Sequence, residues 1–463
     1  MRRLLMVLYY FPPAGGISVQ RGLKFLRYLP QFGWQPTVLT VRPDAAYPVR
    51  DDTLLAEVPA DTPIVRTRCP ELYGLYRWLT GMRGERHFDV TSQADEDASP
   101  MRRMLRWIRA AVFLPDGRMA WRPFGVHAGR ALLHATRHDA LFSSGPPFTA
   151  HLIGRDLQRH SGLPWIADYR DPWTQAVFYP DRPPLARCCD ERLEASCVRH
   201  ADLNLVVGRG MHEEFRARYP DVPHDRWSIL TNGYDEEDFA GLPFKLDDTL
   251  RITHSGSLFA SRAPDHFLRA VAELARREPG FAESVRLCFV GRVDPGIRGR
   301  LVRDWAPPQL ELIGLQSHRA SLAWLRHSRL LLLPFGNDER ARGIVTGKVF
   351  EYLAAGIPIL ALGPPDSDVA RILEETGAGW THAPDDQSGI ARRLAGIWNR
   401  WRAAQHEAPH ASAGRGAPAG GEAVLQFGLT PDSEQIARYS RRRLTERLAA
   451  HLDALVDRHR GAR

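Results

Sequence analysis

Short apolar runs alternate with segments of helical periodicity along most of this 463-residue chain. Such alternation is typical of βαβ units, whose strands form a mostly parallel sheet with helices on its faces. In the first half of the chain, residues 19–32 have the pattern of a helix, and the turn Thr231-Asn232-Gly233 closes the half. The strands predicted in this half are residues 4–10, 35–41, 139–143, 165–168 and 203–207.

A second series follows the polar interval at residues 242–248, with a helix predicted at 264–277. Its predicted strands are residues 251–255, 285–291, 310–313, 330–334 and 358–362. A chain of this length exceeds one ordinary hydrophobic core. We therefore predict an α/β protein of two doubly wound, Rossmann-like domains facing a cleft, at residues 1–241 and 249–402. Ligands are expected in that cleft, at the carboxyl ends of the strands.

The last sixty residues change character twice. Residues 403–425 are rich in Ala, Gly and Pro, which predicts a flexible insert. Residues 433–459 return to an amphipathic pattern and predict a C-terminal helix.

Charge and cysteine usage restrict the partners and the compartment. The formal net charge of +8 favours anionic partners such as nucleotide sugars or an anionic lipid surface. No basic patch with interleaved aromatic residues supports nucleic acid, which we exclude as a partner. Five cysteines without a disulfide-like pattern indicate a reducing compartment, and no apolar run approaches the roughly 20 residues of a membrane span. A cytoplasmic protein is the expectation.

Two sets of residues imitate metal ligands. Cys188, Cys189, Cys197 and His200 match no zinc spacing and fall on a predicted helix. Asp366-Ser367-Asp368 has the pattern of a helix N-cap, and the acidic residues at 95–97 lie in a polar loop. The sequence therefore predicts no metal.

A glycine-broken loop runs directly into a helix within residues 343–360, and the helix stops at Gly356. Unpaired N–H groups and the dipole at a helix start attract phosphate. Lys348 places a cation on the first turn, and Glu351 places a carboxylate that accepts hydrogen bonds from sugar hydroxyls. The alternative is an ordinary helix start in an α/β protein.

Two further strand-to-helix turns share this logic. Gly15 and Gly16 follow the first strand without the third glycine of a dinucleotide fingerprint, so a plain tight turn remains the alternative. Gly256 follows the first strand of the second series, and Arg262 precedes the next helix, where it can clamp a diphosphate.

Basic residues mix with Trp107 and other apolar residues at helical spacing in residues 101–114. The segment either rests on an anionic membrane surface or packs its apolar stripe on its own domain.

Several short motifs, in this order and spacing, resemble the retaining glycosyltransferases of family 4, which have the GT-B fold. The resemblance covers most of the chain. Its motifs are Gly15-Gly16, Tyr169-Arg170-Asp171-Pro172-Trp173, Ala201-Asp202, residues 230–235, Gly256 with Arg262, Phe289-Val290-Gly291, and residues 350–358.

The resemblance implies transfer of a sugar from a nucleotide-diphosphate sugar to a saccharide or lipid-linked acceptor, with retention and without a metal or other cofactor. It implies donor binding by Gly15, Gly16, Gly256, Arg262, Thr346, Gly347, Lys348 and Glu351. Arg262 and Lys348 would stabilise the leaving diphosphate. Asp171 is the third candidate catalytic residue and would contact sugar or acceptor, as would Arg170, unless the two form a structural pair. The last helix would pack back toward the first domain.

The chain departs from the family at two positions. Gly343 stands eight positions before Glu351, where the family usually has a glutamate that touches the transferred sugar, and Ser257 replaces an arginine. These departures leave open a non-catalytic nucleotide-sugar-binding protein, and a sugar-nucleotide epimerase shares the fold. The favoured interpretation is a glycosyltransferase of cell-surface polysaccharide or glycan synthesis, in the cytoplasm or on the inner face of the membrane.

Overall fold

The computed structural model describes residues 1–70, 107, 110–176, 179, 181–305, 309–336, 339–407 and 427–461. It consists of two compact units, Met1–Thr231 with Arg441–Arg463, and Asn232–Ser440. The predicted polar loop around residues 95–97 and most of segment 101–114 lie outside the described residues. None of the described helices combines the length and apolar character that a membrane span requires.

The first unit contains a parallel seven-stranded sheet in the order β3-β2-β1-β4-β5-β6-β7. Its strands are β1 (Arg2–Leu8), β2 (Trp34–Val41), β3 (Ile64–Thr67), β4 (Ala140–Gly145), β5 (Trp165–Tyr169), β6 (Leu203–Val206) and β7 (Trp227–Ile229). The helices that follow in chain order are α1 (Ile17–Tyr28), α2 (Trp121–Ala135), α3 (Thr149–Ser161), α4 (Pro184–His200) and α5 (Arg209–Arg218). Five predicted strands are confirmed, whereas β3 and β7 were missed because they are short edge strands with little continuous apolar sequence.

The second unit contains a parallel six-stranded sheet in the order β10-β9-β8-β11-β12-β13. Its strands are β8 (Leu250–Ser255), β9 (Val285–Val290), β10 (Leu310–Gly314), β11 (Leu330–Pro334), β12 (Ile359–Leu362) and β13 (Gly379–His382). Its helices are α6 (Asp265–Arg277), α7 (Phe281–Ser284), α8 (Pro295–Asp304), α9 (His318–Arg326), α10 (Gly347–Ala355), α11 (Asp368–Thr376), α12 (Gln387–Glu407) and α13 (Ser433–Ala437). The edge strand β13 is half-buried throughout, and its pattern had not predicted a strand.

The single C-terminal helix predicted at residues 433–459 is two helices, α13 and α14 (Arg441–Gly461). The break has a local cause, because the Tyr439 carbonyl accepts a hydrogen bond from the Tyr234 N–H and Ser440 pairs with Tyr234 as an isolated bridge. Only α14 belongs to the first unit, where it packs on α1. At the other end of the predicted insert, α12 continues to Glu407, and residues 408–426 are not described.

A buried ion pair joins three elements of the first unit. Arg21 of α1 binds both carboxylate oxygens of Asp168 at the end of β5, at 3.0 and 2.7 Å. The same guanidinium donates to the carbonyls of Leu230 and Thr231, beyond β7. Burial alone would raise the pKa of Asp168, but Arg21 and the Ser144 hydroxyl outweigh it and hold the pKa below its usual value. The pair therefore fixes α1 over the carboxyl edge of the sheet.

We expect Arg21→Leu to lower the free energy of unfolding by about 3–5 kcal/mol, because it leaves the Asp168 carboxylate buried without its counter-ion. Urea unfolding at neutral pH measures the change. Arg199→Leu removes the same side chain from the half-exposed pair with Asp221 and should lower it by less than about 1 kcal/mol. Equal losses in the two variants would show that the buried pair has no special structural role.

Candidate functional site

Glycines shape the carboxyl edge of the second sheet. Gly256 directly follows β8 with φ +126°, and a Cβ at this position would overlap the Nζ and Cε atoms of Lys348. Gly291 follows β9 with φ +125°, and a Cβ there would lie 2.5 Å from the Gly256 carbonyl oxygen. Side chains at either position would exclude the present backbone or the lysine. Lys348 therefore lies directly over the end of β8.

Helix α10 is held against this edge by one buried hydroxyl. Its N-cap is Thr346, and Gly356 ends it in the left-handed region. Tyr352 is buried, and its hydroxyl accepts a hydrogen bond of 2.9 Å from the Ser255 N–H, the last residue of β8. This bond fixes the rotation of the helix, so that Gly347 and Lys348 occupy its first turn beside Gly256.

Two cations meet at this helix start. Arg262 ends a short 3₁₀ turn at Ala260–Arg262. Burial lowers the pKa of its guanidinium, and burial together with the charge of Arg262 lowers the pKa of Lys348 to about 8. Among the residues that the structure describes, neither side chain has a hydrogen-bond or ion-pair partner. Two partly buried cations without a counter-ion, beside the N–H groups of a helix start, form a site for an anion.

A carboxylate and an imidazole lie beside the cations. Glu351 Oε1 is 3.3 Å from Nε2 of His318, the first residue of α9. The negative charge of Glu351 raises the pKa of Lys348, but burial and the charge of Arg262 have larger effects and lower it. Sequence reasoning missed His318, although its position just beyond the carboxyl end of β10 was a signal. Glu351 and His318 together can hydrogen-bond a polyol such as a ribose.

His254 lies beneath the site in β8. It is buried, and its Nδ1 is 3.0 Å from the Leu332 carbonyl oxygen. Burial, together with the charge of Lys348, lowers its pKa to about 3, so the imidazole is neutral at physiological pH. It supports the strand ends without adding a third positive charge.

In the first unit, the Gly15 backbone does not offer the free N–H group that phosphate binding at Gly15-Gly16 would use. Gly15 donates its N–H to the Val49 carbonyl at 2.9 Å, so this N–H is already used within the protein. A Cβ on Gly15 would lie 2.9 Å from the Cβ of Asp51, which explains the need for glycine. Gly16, with φ +86°, is the N-cap of α1. Of these two glycines, only Gly16 has open space at the position that a Cβ would occupy.

Arg170 is a structural residue. Its guanidinium donates to the carbonyls of Ser18, Gly145 and Pro146, and so joins α1 to the end of β4. These carbonyls are its hydrogen-bond partners, while the charge of Asp171 raises the pKa of Arg170 against burial, so the alternative of an Arg170–Asp171 pair stays a prediction. Desolvation of the Asp171 carboxyl raises its pKa, and the charge of Arg170 partly opposes the rise.

The two metal-like patterns that the structure describes have other partners. Asp366 pairs with Arg342 at 3.1 Å, Ser367 caps α11, and Asp368 pairs with Arg371. His200 on α4 bonds the Ser196 carbonyl through Nδ1 at 2.7 Å. Within the described ranges, no group of three or more His, Cys, Asp or Glu side chains is arranged to hold a metal ion.

The sequence of the second unit matches a known family. Residues 249–400 match the family described as Glycosyl transferases group 1. No curated protein sequence matches the chain. The predicted class of enzyme is confirmed at the level of this glycosyltransferase domain, which contains Gly256, Arg262, Lys348 and Glu351.

Solved structures resemble the whole chain. Sucrose-phosphate synthase from Thermosynechococcus elongatus is 12% identical with a TM-score of 0.60, over 98% of this chain and 99% of that one. Anabaena HepE in complex with UDP is 11% identical with a TM-score of 0.56, over 98% and 100%. The N-terminal domain of Candida albicans trehalose-6-phosphate phosphatase is 13% identical with a TM-score of 0.60, over 98% and 97%. At these identities the likeness shows the fold alone, and the predicted GT-B fold of two Rossmann-like α/β domains is confirmed.

We expect Lys348→Met to raise the free energy of unfolding at pH 7 by roughly 1–2 kcal/mol in phosphate-free buffer. A lysine whose pKa falls from 10.5 to about 8 on folding opposes folding while it is protonated. In the parent protein this penalty is relieved as the pH rises from about 8 toward 10.5, so the advantage of the variant should fade over that range.

Denaturant unfolding at a series of pH values measures this effect. The exposed Lys245 provides the control, since Lys245→Met should change stability by less than about 0.5 kcal/mol. A Lys348→Met variant that is less stable than the parent protein at pH 7 would show that the ammonium group of Lys348 does not oppose folding.

Proposed function

We propose that this protein is a glycosyltransferase that moves a sugar from a nucleotide-diphosphate sugar to a saccharide or lipid-linked acceptor, with retention of the anomeric configuration. The observation that carries the proposal is the pair of cations at the start of α10, Lys348 and Arg262, whose side chains have no hydrogen-bond or ion-pair partner among the described residues. A diphosphate supplies the negative charge that this position lacks. The match of residues 249–400 to a glycosyltransferase family supports the same conclusion.

In the proposed complex, the diphosphate lies against Lys348, Arg262 and the N–H groups at the start of α10. Glu351 and His318 receive the ribose hydroxyls. The similar HepE of Anabaena has been solved with UDP and with UDP-glucose, which supports a nucleotide sugar as the ligand of this fold. The base and the sugar of the donor are not assigned by these residues.

In the proposed reaction, the bond between the anomeric carbon and the β-phosphate oxygen breaks, and the acceptor oxygen bonds the same face of that carbon. The acceptor hydroxyl proton passes to the departing phosphate oxygen, and a nucleoside diphosphate leaves. Lys348 and Arg262 stabilise the charge that develops on the leaving group, which is the role of a preorganised electrostatic site. These two cations can act in place of a divalent metal, so we expect the reaction to be metal-independent.

Gly343 ends a 3₁₀ turn at Glu339–Gly343 and provides no side chain for the transferred sugar. The sugar contact of the missing glutamate must therefore come from another residue or from the acceptor. This departure keeps a non-catalytic nucleotide-sugar-binding protein as the second candidate.

The acceptor and its location remain proposals. A lipid-linked acceptor would bring the protein to the inner face of the membrane, where the basic segment 101–114 is suited to anionic headgroups. Asp171 of the first unit is the candidate contact for sugar or acceptor.

A panel of nucleotide-diphosphate sugars tests the proposed function. We expect slow release of nucleoside diphosphate from at least one donor in the absence of acceptor, and loss of release in Lys348→Met. Binding without release would favour the non-catalytic alternative, and interconversion of sugar epimers would favour an epimerase. No binding of any donor would contradict all three.

Glu351→Gln should weaken nucleoside diphosphate binding by about tenfold or more, since the amide loses the charged acceptor of the sugar hydroxyls. Calorimetric titration with nucleoside diphosphates measures the affinity. Glu374→Gln makes the same change at an exposed position of α11 and should leave the affinity unchanged. Unchanged affinity in both variants would contradict the assignment of Glu351.

A further inference from the structure

A polar cavity lies in the second unit, away from the residues of the proposed donor site. Its volume is about 450 Å³, within the range of roughly 300–1,000 Å³ that is usual for small-molecule sites. It is formed by the edge strand β13, the helix α12 and residues 427–428. Its lining residues include none of the donor-site residues.

The floor of the cavity is one stripe of α12. Gly389, Arg393, Gly396 and Arg400 recur at the spacing of a single helix face, so two arginines alternate with two glycines. A Cβ on Gly396 would meet no atom within 4 Å, so this glycine leaves the cavity open. Gly428, with φ +74°, allows the Arg400 guanidinium to lie against the backbone, where a Cβ would overlap it.

Three guanidinium groups line this space. Arg392, Arg393 and Arg400 have no hydrogen-bond or ion-pair partner for their side chains in the part of the chain that the structure describes. Arg393 is oriented by Trp380, whose ring centroid is 4.6 Å from its guanidinium carbon, and its Nε is buried without a partner. Burial and the charge of Arg400 lower the pKa of Arg393. Arg393 is half-buried, whereas Arg392 and Arg400 are exposed, and their like charges repel one another.

The carboxylate in the lining does not compensate for these charges. Asp386 accepts hydrogen bonds from the Gly389 N–H at 2.8 Å and from the Ser388 hydroxyl at 3.2 Å. Its other oxygen is 3.4 Å from Nδ1 of His382. When Nδ1 donates to Asp386, Nε2 of the neutral ring is an acceptor, and this buried atom has no partner. It can receive a hydroxyl hydrogen from a ligand.

We propose that this cavity binds the phosphate group of a small organic phosphate monoester, with Arg393 and Arg400 as its principal ligands and Arg392 at the rim. Paired guanidinium groups match phosphate oxygens in charge and geometry. A monoester can present a hydroxyl hydrogen to His382, which a fully ionised sulfate cannot. The cavity is larger than an inorganic phosphate ion and leaves room for the organic part.

The probes are inorganic phosphate, glycerol phosphate and sulfate at constant ionic strength, titrated against the full chain with thermal unfolding as the readout. We expect both phosphates to raise Tm and sulfate to have little effect, because ligand binding to the folded state stabilises it. In Arg393→Ala the half-saturating phosphate concentration should rise about tenfold or more. Arg269→Ala, which removes an exposed helical arginine outside the cavity, should leave it unchanged.

Gly396→Leu starts from a position where a Cβ meets no atom within 4 Å, occupies the cavity and favours the helix, so it should abolish the response without unfolding the protein. Gly299→Leu is the matched control, since Gly299 lies on α8 with equally open space around it. Lys348→Met weakens phosphate binding at the proposed donor site, so the titrations are repeated in this variant, where the response of the cavity should remain and should be abolished by Gly396→Leu. The proposal fails if no phosphate response remains in Lys348→Met, if that remaining response survives Gly396→Leu, if sulfate acts as strongly as phosphate there, or if glycerol phosphate does not bind.

Discussion

The geometry of the proposed donor site depends on the absence of a side chain at Gly256. With no Cβ at this position, Lys348 can lie directly over the end of β8, and the backbone can turn with a positive φ. The Tyr352–Ser255 hydrogen bond then fixes α10 in the rotation that this approach requires. Because the end of β8 and the start of α10 are held together, a single site can include Arg262, Glu351 and His318. The constraint at Gly256 is therefore steric, and the charge arrangement of the site follows from it.

The arginines of this protein divide according to what they contact. Arg21 and Arg170 are satisfied by a carboxylate and by backbone carbonyls, and they hold the first unit together. Arg262 and Arg393 lack such partners among the described residues and lie beside a helix start and a cavity. A buried cation with partners stabilises a fold, whereas one without partners opposes folding until a ligand arrives. This difference, rather than charge alone, separates structural from functional residues here.

The sequence predicted the central strands of both sheets because their apolar runs are continuous and buried on both faces. Of the four edge strands it predicted only β10, and it missed β3, β7 and β13, which have at most four residues each and little continuous apolar sequence. The sequence singled out Arg262, Lys348 and Glu351 by their position at a strand end and a helix start, and their role in donor binding stays a prediction. The partners of Arg170, the break at Tyr439 and the approach of His318 to Glu351 could not be predicted, because each depends on contacts between residues distant in sequence.

The first unit is discontinuous along the chain. Helix α14 packs on α1 and buries Leu444, Leu448 and Leu452 in the core of a unit that is otherwise complete by residue 231, and Asp453 and Asp457 pair with Arg2. A ribosome must therefore synthesise the whole second unit before the first can acquire its last helix. During that interval, the apolar surface that receives α14 is exposed on the nascent chain. Folding of the first unit is thus tied to the synthesis of α14, and the second unit can be the first to reach its native state.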